Sequence, residues 1–269
     1  MLGAIIGDIV GSRHEFNNYL AKDFAFLTDR CVPTDDTVMT VAVADALLKC
    51  GGDWSDLSRQ AVASMQGIGR NYPDCGYGRS FIRWMFSDDP RPYHSFGNGS
   101  AMRVSAVAWA AKSLEECKEL SRKVTVVSHD HPEGIKGAEA TAVATWMALH
   151  GAAKEEILAR VERDYYRLDF TIDQIRPTYI HNETCQNSVP QALEAFAEGR
   201  DYEDVIRTAV SLGGDSDTIA AIAGAVAEAY YGIPAALREE VLRGFLDERL
   251  AWVVRAFEAK YGTKTIGGE

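Results

Sequence analysis

Two short acidic stretches carry the residue types that could do chemistry: PTDDT, Pro33 to Thr37, and GGDSDT, Gly213 to Thr218. The first sets Asp35 beside Asp36; the second spaces Asp215 and Asp217 two apart after a Gly-Gly pair that permits a tight turn. A single Asp-Thr before an apolar helix is an ordinary N-cap, favoured by the helix dipole. One cap needs one side chain, whereas here four carboxylates stand with the hydroxyls of Thr34, Thr37, Ser216 and Thr218. An all-oxygen donor set suits a hard cation, Mg²⁺, Mn²⁺ or Ca²⁺, rather than zinc. If both stretches face one cleft, a pair of cations can share it. No twelve-residue loop closed by Glu is present, so the spacing is not that of an EF-hand.

Three further segments bear on this. In GAIIGDIVGSRHEF, Gly3, Gly7 and Gly11 recur every four residues and Glu15 follows. Glycine at that period weakens an isolated helix, so a close backbone approach is expected; Glu15 alone is a weak signal and equally suits an exposed surface. SFGNGSAMRV places the turn Gly97-Asn98-Gly99 before a predicted helix. Backbone N–H groups at such a turn cradle an anion, and a diphosphate is a natural guest. A plain turn with Ser100 as N-cap explains the same residues, and Phe96 either stacks on a base or packs. SHDHPEG contains His129-Asp130, a pair found in metal-dependent phosphohydrolases, yet His14, His94, His150 and His181 form no accompanying ligand set. A cleft histidine bonding a ribose or phosphate fits His129 better; a loop histidine with no ligand role is the alternative.

The elements that must position these residues are mostly helices. Residues 37–49 are apolar almost all round, which marks a buried helix. Residues 100–112, 133–149, 188–198, 202–211, 217–231 and 235–260 also read as helices, the last broken. In 217–231, Ile219, Ile222, Ala223, Val226 and Tyr230 share one face. The best strand-like run is KVTVVSH, 123–129, which equally suits a helix end. Gly, Pro, Asn and Asp mark loops at 11–36, 70–78, 87–99, 128–133, 178–187 and 211–216. TDDTVMTVAVADAL and GDSDTIAAIAGAVA echo each other, each opening an Ala-rich helix with Asp-Thr.

The composition, 46% hydrophobic and 25% charged over 269 residues, is that of a globular chain able to bury a large core. A net charge of −11 argues against coating nucleic acid or a membrane surface. Five widely spaced cysteines without a C-x-x-C suit reduced cytosolic thiols. The N-terminal apolar run lacks a basic region and contains Asp8, which makes a poor signal peptide. No stretch has the uncharged length of a membrane span. We expect a cytoplasmic monomer, with residues 1–262 as one all-α domain and 263–269 as a frayed tail.

The segments GAIIGDIVGSRHE, PTDDT, SFGNGSAMRV, HDHPEGIKGAEAT and GGDSDTIAAIAGAVAEAYYG, in this order from residue 3 to about 232, resemble the ADP-ribosylglycohydrolase family. The resemblance implies a compact all-α fold, an orthogonal helical bundle, holding two divalent cations, Mg²⁺ or Mn²⁺, in a cleft. It matches Thr34, Asp35 and Asp36 to one ligand group and Asp215, Asp217 and Thr218 to the other. Glu15 matches an acidic residue at the metal edge; Gly97, Asn98, Gly99 and Ser100 match the loop holding the diphosphate. His129 and Phe96 match ligand-contacting positions. Glu15, Asp35 and Asp36 are thereby the implied catalytic residues, and the implied substrate is an ADP-ribosylated protein or small ADP-ribosyl conjugate. Arg13-His14 is bulkier than the family's turn and would reshape the leaving-group side. Two other readings compete: a Mg²⁺- or Mn²⁺-dependent phosphohydrolase acting on nucleotides, and a non-catalytic ADP-ribose-binding or crystallin-like protein.

Overall fold

The computed structural model describes residues 1–267. From the N-terminus, α1 (Leu2–Gly11) and α2 (Asp35–Cys50) are joined by a long loop. Then come α3 (Leu57–Gly69), α4 (Arg79–Phe86), α5 (Gly99–Met102) and α6 (Ser105–Ala110). Next are α7 (Leu114–Thr125), α8 (Pro132–Leu149), α9 (Lys154–Asp164) and α10 (Ile172–Ile175). The helical set closes with α11 (Val189–Glu198), α12 (Tyr202–Val210), α13 (Ser216–Tyr231), α14 (Ala235–Gly244) and α15 (Glu248–Tyr261). The strands β1 (Ile233–Pro234) and β2 (Thr265–Ile266) have two residues each and pair in parallel. The fold is all-α, as the sequence implies, with one dominant apolar core.

The centre is the pair α1 and α13. Every residue of α1 is buried although its sequence contains Asp8. Gly3, Gly7 and Gly11 face α13 in antiparallel register: a Cβ there would lie 2.3 Å from Gly224 O, 2.1 Å from Ala220 O and 2.5 Å from Asp217 Cα. The glycine period therefore marks a backbone-to-backbone crossing. The helix α13 is buried all round up to Ala229 rather than on one face, because α1, α11 and α12 also pack against it.

The helix α2 begins where Thr34 Oγ1 accepts from the Asp36 N–H at 3.3 Å, and it ends at Gly51 in the left-handed conformation, φ 67°. The expected helix 100–112 is two short helices, α5 and α6, broken at Arg103 and Val104. The run KVTVVSH is not a strand: Lys123 to Thr125 form the last turn of α7. Its β-branched residues are overridden by packing of Val124 into the core. Of the tail 263–269, Thr265 and Ile266 pair with Ile233 and Pro234, while 268–269 lie outside the described residues. Among the described residues no helix is long and apolar enough to cross a membrane.

Candidate active site

The crossing of α1 and α13 brings Asp8 and Asp217 to the mouth of α2. Asp8 is fully buried and is the hub of this junction. Its carboxylate accepts from the Thr34 N–H (3.0 Å), the Thr34 hydroxyl (2.7 Å), the Thr37 N–H (2.9 Å) and the Thr37 hydroxyl. It thus satisfies orphan donors at the start of α2 from another helix. Thr218 Oγ1 donates to Asp36 Oδ2 at 3.1 Å and ties α13 to α2. Gly213 and Gly214, with φ of 79° and 70°, make the turn that delivers Asp215 and Asp217, as the Gly-Gly pair predicts.

The carboxylates form two compact groups. Single oxygens of Asp8, Asp36 and Asp217 lie within 4.8 Å of one another, and so do those of Glu15, Asp215 and Asp217. Asp217 belongs to both. Asp36 Oδ1 and Asp217 Oδ1 are buried without a hydrogen-bond partner among the described residues. Burial, then Asp8 and Asp35, pushes the Asp36 carboxyl well up; burial, then Asp215 and Asp36, does the same to Asp217. Glu15 is pushed up to about 7 by burial and then by Asp215, and Asp8 to about 6 by burial against its four hydrogen bonds. Buried oxygens without donors, on carboxyls that resist ionisation, fit a site built for hard cations.

Asp35 stands apart from both groups. It lines the same cavity, forms no side-chain hydrogen bond among the described residues, and is pushed well up by burial, then by Asp8 and Asp215. Thr34 has its hydroxyl engaged with Asp8 and Asp36.

The cavity above these groups measures about 510 Å³, within the range of small-molecule sites. Another part of its wall is the loop of Gly97, Asn98 and Gly99. This loop is pinned from below: Gly97 bridges Thr184, the Asn98 N–H donates to Glu183 O at 2.9 Å, and the Cys185 N–H donates to Phe96 O at 3.0 Å. Asn98 Nδ2 donates to Asp215 Oδ2 at 2.6 Å, so this loop and the acidic floor are one unit. Ser100 is fully buried and bonds Gly134 O at 2.8 Å; it is not among the lining residues. Phe96 is 42% exposed at the rim. His129 lines the cavity and is held neutral by burial and by Arg103.

The ADP-ribosylglycohydrolase profile matches residues 1–263. The chain belongs to the ADP-ribosylglycohydrolase family. Among relatives, the ADP-ribosylarginine hydrolase Tri1 of Pseudomonas putida (strain GB-1) is 30% identical over 94% of this chain and 73% of its own length. Human ADP-ribosylhydrolase ARH3 is 25% identical, covering 87% of this chain and 84% of its own. A solved structure titled ADP-ribosylglycohydrolase-related protein complex superposes with a TM-score of 0.69 at 27% identity, over 96% of this chain and 95% of that one. The family and these relatives put the chain in the ADP-ribosyl hydrolase class.

In this chain, sequence reasoning missed Asp8. The available signal was a lone carboxylate in an otherwise uncharged, buried run, which must be satisfied from elsewhere. Arg13 and His14 stand away from the main cavity. Arg13 bonds Thr28 and Ala25 O, His14 packs on Tyr19 and Phe24, and neither lines the main cavity. Asp130 Oδ1 accepts from the His94 N–H at 2.7 Å, holding the left-handed backbone of His94, φ 55°. The His129-Asp130 pair belongs to neither carboxylate group among the described residues, so it is not where a cation would sit.

Proposed function

We propose that this chain is a divalent-cation-dependent hydrolase that cleaves the glycosidic bond between ADP-ribose and an acceptor, a modified protein side chain or a small conjugate. The observation that carries this reading is the pair of carboxylate groups sharing Asp217, each with an unpartnered buried oxygen, beneath a cavity walled by the Gly97–Gly99 loop. Asp36, Asp215 and Asp217 hold the cations, Mg²⁺ or Mn²⁺, with Asp35 at the cavity side and Thr34 and Thr218 beside them. Bound there, such cations supply Lewis acidity to water and to the ribose hydroxyls.

The chain's own residues do the rest. Asp8 fixes the first turn of α2, so that Asp35 and Asp36 keep their places without adjustment. Asn98 orients Asp215, and the Gly99 N–H with His129 receives the diphosphate, since the Gly97 and Asn98 N–H groups already donate to Ser95 Oγ and Glu183 O. The absence of side chains at Gly97 and Gly99 lets the ligand approach the backbone closely. Phe96 stacks at the rim near the adenosine end. The transition state of glycosidic cleavage has oxocarbenium character. Glu15, partly exposed beside Asp215, is the proton-transfer group for the leaving acceptor atom and the incoming water.

Glu15→Gln tests this assignment. The variant should keep Kd for ADP-ribose within about twofold while turnover falls on the order of 10²-fold, the scale of a lost general acid–base. An equal loss of binding and turnover would make Glu15 structural and contradict the role.

A further inference from the structure

Arg103 is 1% exposed, lines the cavity, and among the described residues forms no ion pair. Its guanidinium lies over the Phe81 ring at 5.5 Å. Nη2 donates to Ser128 Oγ at 2.8 Å and reaches Val124 O at 3.5 Å, while Nε has no partner. Burial brings its pKa down only to about 10, so it is a cation at neutral pH. A buried guanidinium that forms no ion pair is costly, and its retention calls for a use.

The use follows from donor counting. A guanidinium only donates, so Ser128 Oγ accepts from Arg103 and has one proton left to give. Nδ1 of His129 lies 2.8 Å from that oxygen. The reverse arrangement, Nδ1–H toward Oγ, fills both lone pairs of that oxygen but leaves the buried Ser128 proton without an acceptor among the described residues. Nδ1 therefore accepts, and a neutral imidazole then carries its hydrogen on Nε2. Nε2 has no protein partner among the described residues. It abuts the loop, since a Cβ on Gly97 or Gly99 would lie 3.6 or 3.4 Å from it.

We propose that Arg103, acting through Ser128, is a positioning residue that fixes His129 as an Nε2–H donor at the Gly97–Gly99 loop, for a phosphoryl oxygen of the substrate. This rests on the reading of the cavity as an ADP-ribose site. Propping of Phe81 by Arg103 alone would explain the burial but not the hydrogen bond of Nη2 to Ser128 Oγ.

Long-range ¹H–¹⁵N spectra of the full chain with Mg²⁺ read the tautomer directly, with His129→Gln identifying the resonances, and calorimetry reads the Kd for ADP-ribose. The wild type should show the Nε2–H form. Ser128→Ala and Arg103→Met should mix the tautomers and raise Kd about tenfold, the scale of one hydrogen bond, with the loss falling on KM more than on kcat. Arg103→Lys, still a donor, should keep both tautomer and affinity within about threefold. An Nδ1–H form in the wild type overturns the proposal, as does unchanged ADP-ribose affinity in folded Ser128→Ala. If the wild type shows the Nε2–H form yet binds no ADP-ribose, the substrate reading fails and the Arg103–Ser128–His129 arrangement stands.

Discussion

Gly7→Ala tests the α1–α13 crossing on which the site is built. The added Cβ would lie 2.1 Å from Ala220 O, 2.5 Å from Ala220 C and 2.8 Å from Ala221 N. All three neighbours are backbone, so no side chain can swing away. The helices must part by about 1 Å to restore ordinary contact. Overpacking of a rigid core costs about 3 kcal/mol, and the better helix propensity of Ala returns about 1 kcal/mol, leaving a net loss of about 2 kcal/mol. For a chain of this size that lowers Tm by about 4–8 °C. Asp8 is the next residue, so the same displacement disturbs its bonds to Thr34 and Thr37, and turnover should fall further than the folded fraction does. Gly67→Ala in α3 is the control, because a Cβ there meets nothing within 4 Å; it should raise stability by about 0.5 kcal/mol through propensity. Calorimetric unfolding of both variants, with activity at 25 °C, reads the outcome. A Gly7→Ala protein melting at or above the wild type would refute the close crossing.

The acidic floor makes two further predictions. Asp217→Asn removes a carboxylate common to both groups. In EDTA at pH 8 it should melt above the wild type, because buried like charges are relieved, and it should lose the Tm increase that Mg²⁺ or Mn²⁺ gives the wild type; a lower melting point in EDTA would contradict the repulsion. The second concerns pH without cations. Asp8 and Glu15 hold their protons to about 6 and about 7 in the fold, whereas the unfolded chain releases them near pH 4. The folded state therefore binds more protons across that interval, and stability should fall as pH rises from about 4 through about 7. Divalent cations should flatten this dependence, since they compensate the ionised carboxylates; a Tm scan against pH in EDTA and in Mg²⁺ checks both slopes.

Legibility in the sequence varied with the kind of constraint. The helices α2 and α13 were readable because runs apolar on nearly every side have no other stable place than a core. Gly3, Gly7 and Gly11 announced a backbone crossing, though not its partner. The break between α5 and α6 was not legible. No Gly or Pro marks it, and Arg103 and Val104 stay near ψ 0°, at −7° and −11°, a loosening that packing alone selects. The helices α3, α4, α7 and α9 escaped because their signal is an apolar stripe among polar residues, such as Cys117, Leu120 and Val124 in α7, rather than an apolar run. At the site, Asp35, Asp36, Asp215 and Asp217 came from residue type and spacing, and Glu15 from the resemblance to the family. What they touch did not: that Asp8 organises Thr34 and Thr37, and that Asn98 serves Asp215, depends on contacts between residues 26 to 117 positions apart.

The central claim is cation-dependent cleavage of an ADP-ribosyl bond, and product release from defined substrates tests it most directly. Arginine-, serine- and acetyl-linked ADP-ribose conjugates are incubated with the protein in Mg²⁺ or Mn²⁺, in EDTA, and after the cation is restored, and free ADP-ribose is quantified. The account predicts ADP-ribose release from at least one conjugate, abolished by EDTA and recovered with the cation. Full turnover in EDTA, or release of phosphate in place of ADP-ribose, would contradict it.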